Sequence, residues 1–186
     1  MRALFVQIPN ILTGIRIALI PLIIHLLRSG QHSQALVVFV IAALTDTLDG
    51  LIARLGRITS PFGTFLDPLA DKLLLNATYT VLALNGGLPM WLAAVVWLRD
   101  LIIVLGAAAL HLKGRRWQVK PAMVGKATTL FQIITVGLFF EVPITRLFIN
   151  WQPFMVTITV VLTLWSGLYY MAAGLNILRG TAANGL

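Results

Sequence analysis

Six apolar runs dominate the chain, each close to bilayer length, and short clusters of Gly, Pro and charged residues separate them. A spanning helix needs about 20 predominantly apolar residues. The punctuation therefore predicts helices near 9–28, 33–53, 61–84, 88–112, 121–141 and 153–178. RSGQHS, LGRITS, NGGLP, KGRRWQVK and VPITRLFINWQP connect them. No internal repeat and no low-complexity segment breaks the series. The expected fold is all-α, a single polytopic membrane domain of six transmembrane helices over 1–180, with a short tail at 181–186. Residues 1–7 are expected as a short interfacial segment before the first span.

Composition agrees with this reading. Of the 186 residues, 59% are hydrophobic and 11% charged, too apolar a balance for an ordinary soluble domain. The absence of cysteine excludes disulfides, thiolate metal sites and cysteine nucleophiles. The opening MRALFVQIPN lacks the basic start and small-residue cleavage site of a secretory signal, so the first apolar run is expected to stay. With the amino terminus inside, Arg2, Arg54, Arg57, Lys113, Arg115, Arg116, Lys120, Lys126 and Arg179 fall on one side, and only Arg28 and Arg146 on the other. Basic residues are retained on the cytoplasmic side, so both termini are expected there. Trp91 and Trp151 then lie at the outer interface and Trp117 at the inner one, where amphipathic rings settle.

One window departs from the apolar pattern. Four of the six acidic residues, Asp46, Asp49, Asp67 and Asp71, lie within DTLDGLIARLGRITSPFGTFLDPLAD. The spacings i,i+3 and i,i+4 put each pair on one face of its helix. Antiparallel helices joined by the short basic loop would bring the four carboxylates to one cytoplasm-facing pocket. An Asp in a membrane helix costs roughly 2.5 to 3.5 kcal/mol at the bilayer centre, less near the interface, and four together also repel. Arg54, Arg57 and Lys72 are a poor match for four inward-facing carboxylates. Two hard divalent cations with oxygen ligands, Mg²⁺ or Mn²⁺, answer the charge better. Such a pair suits phosphoryl displacement.

The neighbouring residues suit a phosphate ligand. Ser60 is a good N-cap and Pro61 a good first helical residue, so the third helix would direct its positive amino end toward a ligand beside Asp67. Pro68 frees the carbonyl of Thr64. Gly50 and Gly63 permit close approach.

Asp46, Asp49, Gly50, Ala53, Arg54, Gly63, Asp67 and Asp71 read as D-x-x-D-G-x-x-A-R, eight further residues, then G-x-x-x-D-x-x-x-D. This resembles the signature of the CDP-alcohol phosphatidyltransferase family at every fixed position, and the six-helix layout extends the likeness over nearly the whole chain. The resemblance implies an integral membrane homodimer that moves a phosphatidyl group from CDP-diacylglycerol to an alcohol and releases CMP. Its site would hold two divalent ions at the cytoplasmic face of the inner membrane. By position, Asp46, Asp49 and Asp67 would be metal ligands, and Asp71 both a ligand and the general base. Gly50, Arg54 and Ser60 would contact the CDP moiety, with Asn10 and Thr13 of the first helix as further candidates. Ser60 and Thr64 lack an adjacent base, so no covalent intermediate is required. With neither a Walker loop nor a dinucleotide fingerprint, ATP and NAD are not expected, nor is a nucleic-acid partner.

IPNILTGIRIALIP and VGKATTLFQ resemble the branch of the family whose acceptor is glycerol 3-phosphate. A phosphorylated acceptor needs cations, and Arg16, Arg99, Lys120 and Lys126 are candidates. Arg16 and Arg99 have an alternative role in pairing with Asp100 or helix carbonyls, and Arg115 and Arg116 one as anchors at anionic headgroups. TDTLDG and the Arg99-Asp100 pair equally resemble a branch whose acceptor is phosphatidylglycerol. A divalent metal transporter is a reading from another class, but it would need a water path through outer helix halves that carry almost no charge. His25, His32 and His111 stand singly and suggest no metal site.

Overall fold

The computed structural model describes residues 2–56, 61–113 and 123–178, and within them the side chains of 14–45, 72–110, 112–113 and 123–177. Every regular element among the described residues is helical. These are α1 (Arg2–Arg28), α2 (His32–Gly56), α3 (Pro61–Leu84), α4 (Met90–Leu112), α5 (Met123–Leu138), the single turn α6 (Pro143–Arg146), a 3-10 turn (Ile149–Trp151) and α7 (Gln152–Leu178). They form two compact units, Met1–Leu88 with Phe139–Leu147, and Pro89–Leu138 with Phe148–Leu186.

In the first unit α1 packs along both α2 and α3. Ile23 and Leu27 of α1, Phe39 and Ala42 of α2, and Tyr79 and Leu82 of α3 are buried in its core. Glycine ends two of these helices in the same way. Gly30 (φ 71°) and Gly86 (φ 79°) adopt the left-handed conformation that glycine tolerates. The next amide then reaches back five residues, from Gln31 to the Leu26 carbonyl at 2.9 Å and from Gly87 to the Leu82 carbonyl at 3.0 Å. The Asn85 amide donates to the Leu27 carbonyl at 3.2 Å, which brings the carboxyl ends of α1 and α3 together and makes these two packed helices parallel. The segment Phe139–Leu147 also belongs to this unit, with the buried Phe140 ring 5.6 Å from that of Phe39.

In the second unit α7 packs on both α4 and α5. Large apolar side chains cover its outward faces, among them Leu98, Leu101 and Leu105 on α4 and Leu164, Trp165 and Leu168 on α7. Exposed apolar surface on this scale marks contact with something other than water. Among the described residues, Met90–Leu110 and Ile149–Ile177 are long and apolar enough to cross a membrane, and His32–Thr45, Lys72–Leu84 and Met123–Leu138 are shorter apolar helices.

Several boundaries differ from the sequence expectation; the second helix, for one, runs on to Gly56 rather than ending near 53. The first helix starts at Arg2 and continues through Pro9 into the span, so Arg2–Gln7 is no separate segment. The fifth ends at Leu138 rather than near 141. Pro143 limits how far it can run, because a residue before proline is driven out of the helical region. Val142 is accordingly extended (φ −114°, ψ 157°), and its amide turns back to the Phe140 carbonyl at 2.8 Å. The Thr145 hydroxyl then bonds the Phe140 and Val142 carbonyls, closing the turn.

Candidate active site

The four aspartates fall at matched depths along two helices. Asp46 lies ten residues before the end of α2 at Gly56, and Asp71 ten residues after the start of α3 at Pro61. At 1.5 Å per residue each is about 15 Å along its helix from that end, while Asp49 and Asp67 are about 9–11 Å along theirs. The inner and outer carboxylate positions of the two helices therefore correspond. The side chains of Asp46, Asp49, Gly50, Arg54, Asp67, Asp71, Asn10 and Thr13 lie outside the described residues, as does Ser60 altogether.

The parallel packing of α1 and α3 adds a register. Leu27 and Asn85 are 58 positions apart. To within a turn, the same offset sets Thr13 level with Asp71, and Asn10 level with Pro68. The first-helix candidates for CDP contact are thus at the acidic level. Arg16 is level with Leu74, just beyond it toward the other end of the helix pair, and Arg16, Asn76 and Tyr79 are all buried. Buried polar side chains, Arg16 among them, thus follow the acidic positions along α1 and α3. Thr45, one residue before Asp46, bonds the Ile41 and Ala42 carbonyls at 2.9 Å and stays within its own helix.

Of the acceptor candidates in the second unit, Arg99 is buried and engaged. Its Nη1 donates to Asp100 Oδ1 at 2.7 Å and its Nη2 to Ser166 Oγ at 2.8 Å. This is the pairing that the sequence offered as its alternative role. Lys126 is exposed in the first turn of α5, a turn that itself carries no acidic residue. Lys120 lies outside the described residues.

Sequence reasoning missed a buried polar seam between α5 and α7. Gln132 Nε2 donates to Thr163 Oγ1 at 3.1 Å, Thr135 and Thr159 share a hydrogen bond at 2.7 Å, and the Thr128 hydroxyl donates to the Leu162 carbonyl at 3.1 Å. At the far end Gln152 donates to the Leu138 carbonyl at 2.9 Å. The signal was present as Gly125, Thr128, Gln132 and Thr135 facing Thr159, Thr163, Ser166 and Tyr170, each set stepping by three or four residues. Inside a membrane such polar pairs join helices where apolar burial gives no preference over lipid.

The acidic motif, its matched depths and the helical architecture agree with the comparison to known proteins. The family model described as CDP-alcohol phosphatidyltransferase matches residues 6–165. This chain belongs to that family. It is 32% identical to a Mycobacterium tuberculosis protein named "Probable phosphatidylglycerophosphate synthase", over 96% of this chain and 87% of that one. It is also 32% identical to the Escherichia coli CDP-diacylglycerol--glycerol-3-phosphate 3-phosphatidyltransferase, over 90% of this chain and 94% of that protein. A Drosophila melanogaster protein named "Probable cardiolipin synthase (CMP-forming)" is 35% identical over 74% of this chain and 48% of its own length. As a family member the protein is a transferase of phospholipid biosynthesis, and its apolar helices accord with a membrane enzyme.

Proposed function

We propose that this protein transfers the phosphatidyl group of CDP-diacylglycerol to glycerol 3-phosphate, forming phosphatidylglycerophosphate and CMP. The observation that carries this reading is the similarity to bacterial relatives named for that reaction, which extends over about nine-tenths of both chains. The reading includes six spanning helices, both termini and the site on the cytoplasmic side of the inner membrane, and a homodimer. The charge asymmetry of the loops supports the orientation.

The donor set fits divalent cations: four carboxylates at matched depths on two helices supply hard oxygen ligands and an excess of negative charge. Two ions, Mg²⁺ or Mn²⁺, held by Asp46, Asp49, Asp67 and Asp71, would neutralise the pyrophosphate and the departing CMP. Gly50, Arg54 and Ser60 bind the CDP moiety, assisted by Asn10 and Thr13 at the acidic level of α1. Asp71 accepts the proton of the acceptor hydroxyl as its oxygen forms the new bond to phosphorus and the phosphorus–oxygen bond to CMP breaks. Lys126, with the positive amino end of α5 around it, holds the acceptor's phosphate. Arg99 already bonds Asp100 and Ser166, and serves the architecture of its unit.

A parallel assay decides the acceptor: CMP release from CDP-diacylglycerol with glycerol 3-phosphate, phosphatidylglycerol, inositol phosphate or serine. Glycerol 3-phosphate is expected to support release. Release with phosphatidylglycerol alone would replace this reading with that of a cardiolipin synthase, the activity named for the Drosophila relative.

A further inference from the structure

Glycine is among the poorest helix formers, yet Gly125 is buried in the first turn of α5, immediately before Lys126. The structure gives the reason. A Cβ at this position would lie 2.5 Å from the Tyr170 hydroxyl oxygen and 3.3 Å from Cε2 and Cζ of its ring, so the bare glycine backbone is what receives the tip of the Tyr170 side chain. The ring is held in place. The Arg99 guanidinium carbon lies 5.9 Å from its centroid, and Tyr169 packs edge-on at 5.5 Å. Arg99 is itself tied to Asp100 and Ser166, and a Cβ on Gly167 would meet its Cγ at 3.7 Å. Farther along, the Gln132–Thr163 and Thr135–Thr159 bonds fix the register of the same two helices. The beginning of α5 is therefore gripped both at its first turn and along its length.

We propose that Gly125 and Tyr170 form a lock that sets the first turn of α5 against α7 and so positions Lys126 for the acceptor's phosphate. The proposal rests on the reading of Lys126 as an acceptor ligand. Tyr170 is a positioning residue: it acts through α5 and touches no substrate. Adding a methyl group at 125 forces either the turn or the ring to move, and moving the ring disturbs Arg99 and the Ser166 bond with it.

The test uses the full chain in lipid vesicles with CDP-diacylglycerol and glycerol 3-phosphate, and reads the KM of each substrate separately from kcat. Lys126→Ala is expected to raise the acceptor KM about tenfold, the loss of one charged hydrogen bond. Gly125→Ala should produce a rise of similar size, with the KM for CDP-diacylglycerol within about twofold of wild type. Adding Tyr170→Phe to Gly125→Ala removes the clashing oxygen and should bring the acceptor KM back to within about threefold. Tyr170→Leu keeps the glycine but removes the ring, and should raise the acceptor KM on its own. It carries the test if Gly125→Ala does not accumulate. A wild-type acceptor KM in Lys126→Ala removes the acceptor reading itself. A normal acceptor KM in Gly125→Ala or Tyr170→Leu, or no recovery in the double variant, overturns the lock while Lys126 keeps its role. Loss of folded enzyme at unchanged KM overturns it too, because a purely structural contact lowers only the amount of active protein.

Discussion

The acidic stretches of α2 and α3 and the seam between α5 and α7 use the same spacing for opposite ends. Both set polar residues three or four positions apart in apolar helices. Along the seam the groups are neutral and mutually complementary: a Gln amide meets a Thr hydroxyl, and hydroxyls meet hydroxyls or carbonyls. Each donor finds an acceptor inside the protein, and the result is adhesion. The motif instead places four like-charged acceptors at matched depths. Ionised carboxylates donate nothing and cannot satisfy one another, which is why the proposed reading supplies them with cations. Spacing identifies a shared face, and complementarity within it separates a joint from a site.

The sharpest way to break this comparison is to remove the cations. Chelation of divalent ions should abolish CMP release, with Mg²⁺ or Mn²⁺ restoring it, whereas the seam should be indifferent to the chelator. Full turnover in excess chelator would mean that the carboxylates are compensated internally, as the seam is. Next in size is Asp71→Asn, which keeps the volume and removes the base. Turnover should fall about 10²- to 10⁴-fold, the usual contribution of a general base, while CDP-diacylglycerol binding largely survives. Near wild-type turnover would require another proton acceptor.

Arg99 and Asp100 test the intermediate case, a charged pair used as a joint. Arg99→Met leaves Asp100 without this partner in an apolar interior, and by the behaviour of buried pairs should destabilise the second unit by about 3 kcal/mol or more. Replacing both, with Arg99→Met and Asp100→Leu, should cost less than Arg99→Met alone. Denaturant titration in detergent distinguishes the two outcomes. If the double variant is the less stable, Asp100 is held by more than Arg99, and the pair is no simple joint.

Helix positions were legible because apolar runs of bilayer length and their Gly, Pro and charge punctuation are local features. Gly30 and Gly86 cap helices where RSGQHS and NGGLP predicted connectors. The end of α5 was less legible, since Pro143 acts upstream through the extended Val142 and the turn back to Phe140. The acidic motif was readable as a constellation because its members sit within 26 residues on two consecutive elements. The level of Asn10 and Thr13 needed the Asn85–Leu27 bond, a contact 58 residues apart. Arg99 carried two readings in the sequence, and only the position of Ser166, 67 residues away, shows what holds its guanidinium. The seam escaped notice because isolated Thr and Gln in an apolar run look tolerated. Their meaning lies in the register between two helices, which neither helix contains alone.

The smallest expected effect sharpens the comparison most finely. If the seam is adhesion between neutral partners, each pair should contribute little, because helices separated within a membrane find other polar partners. A double-mutant cycle on Gln132→Leu and Thr163→Val should give a coupling of about 0.6 kcal/mol, the typical size for hydrogen bonds between membrane helices, and at most about 1.7 kcal/mol. The same cycle on Thr135→Val and Thr159→Val should give a similar value and add to the first, since each pair is joined by its own direct bond. Turnover per folded molecule should stay close to wild type in all of these variants. A coupling several times larger, or a loss of turnover without loss of stability, would move the seam from joint to site. Neutral polar groups at this spacing would then have to be read with the same suspicion as the carboxylates.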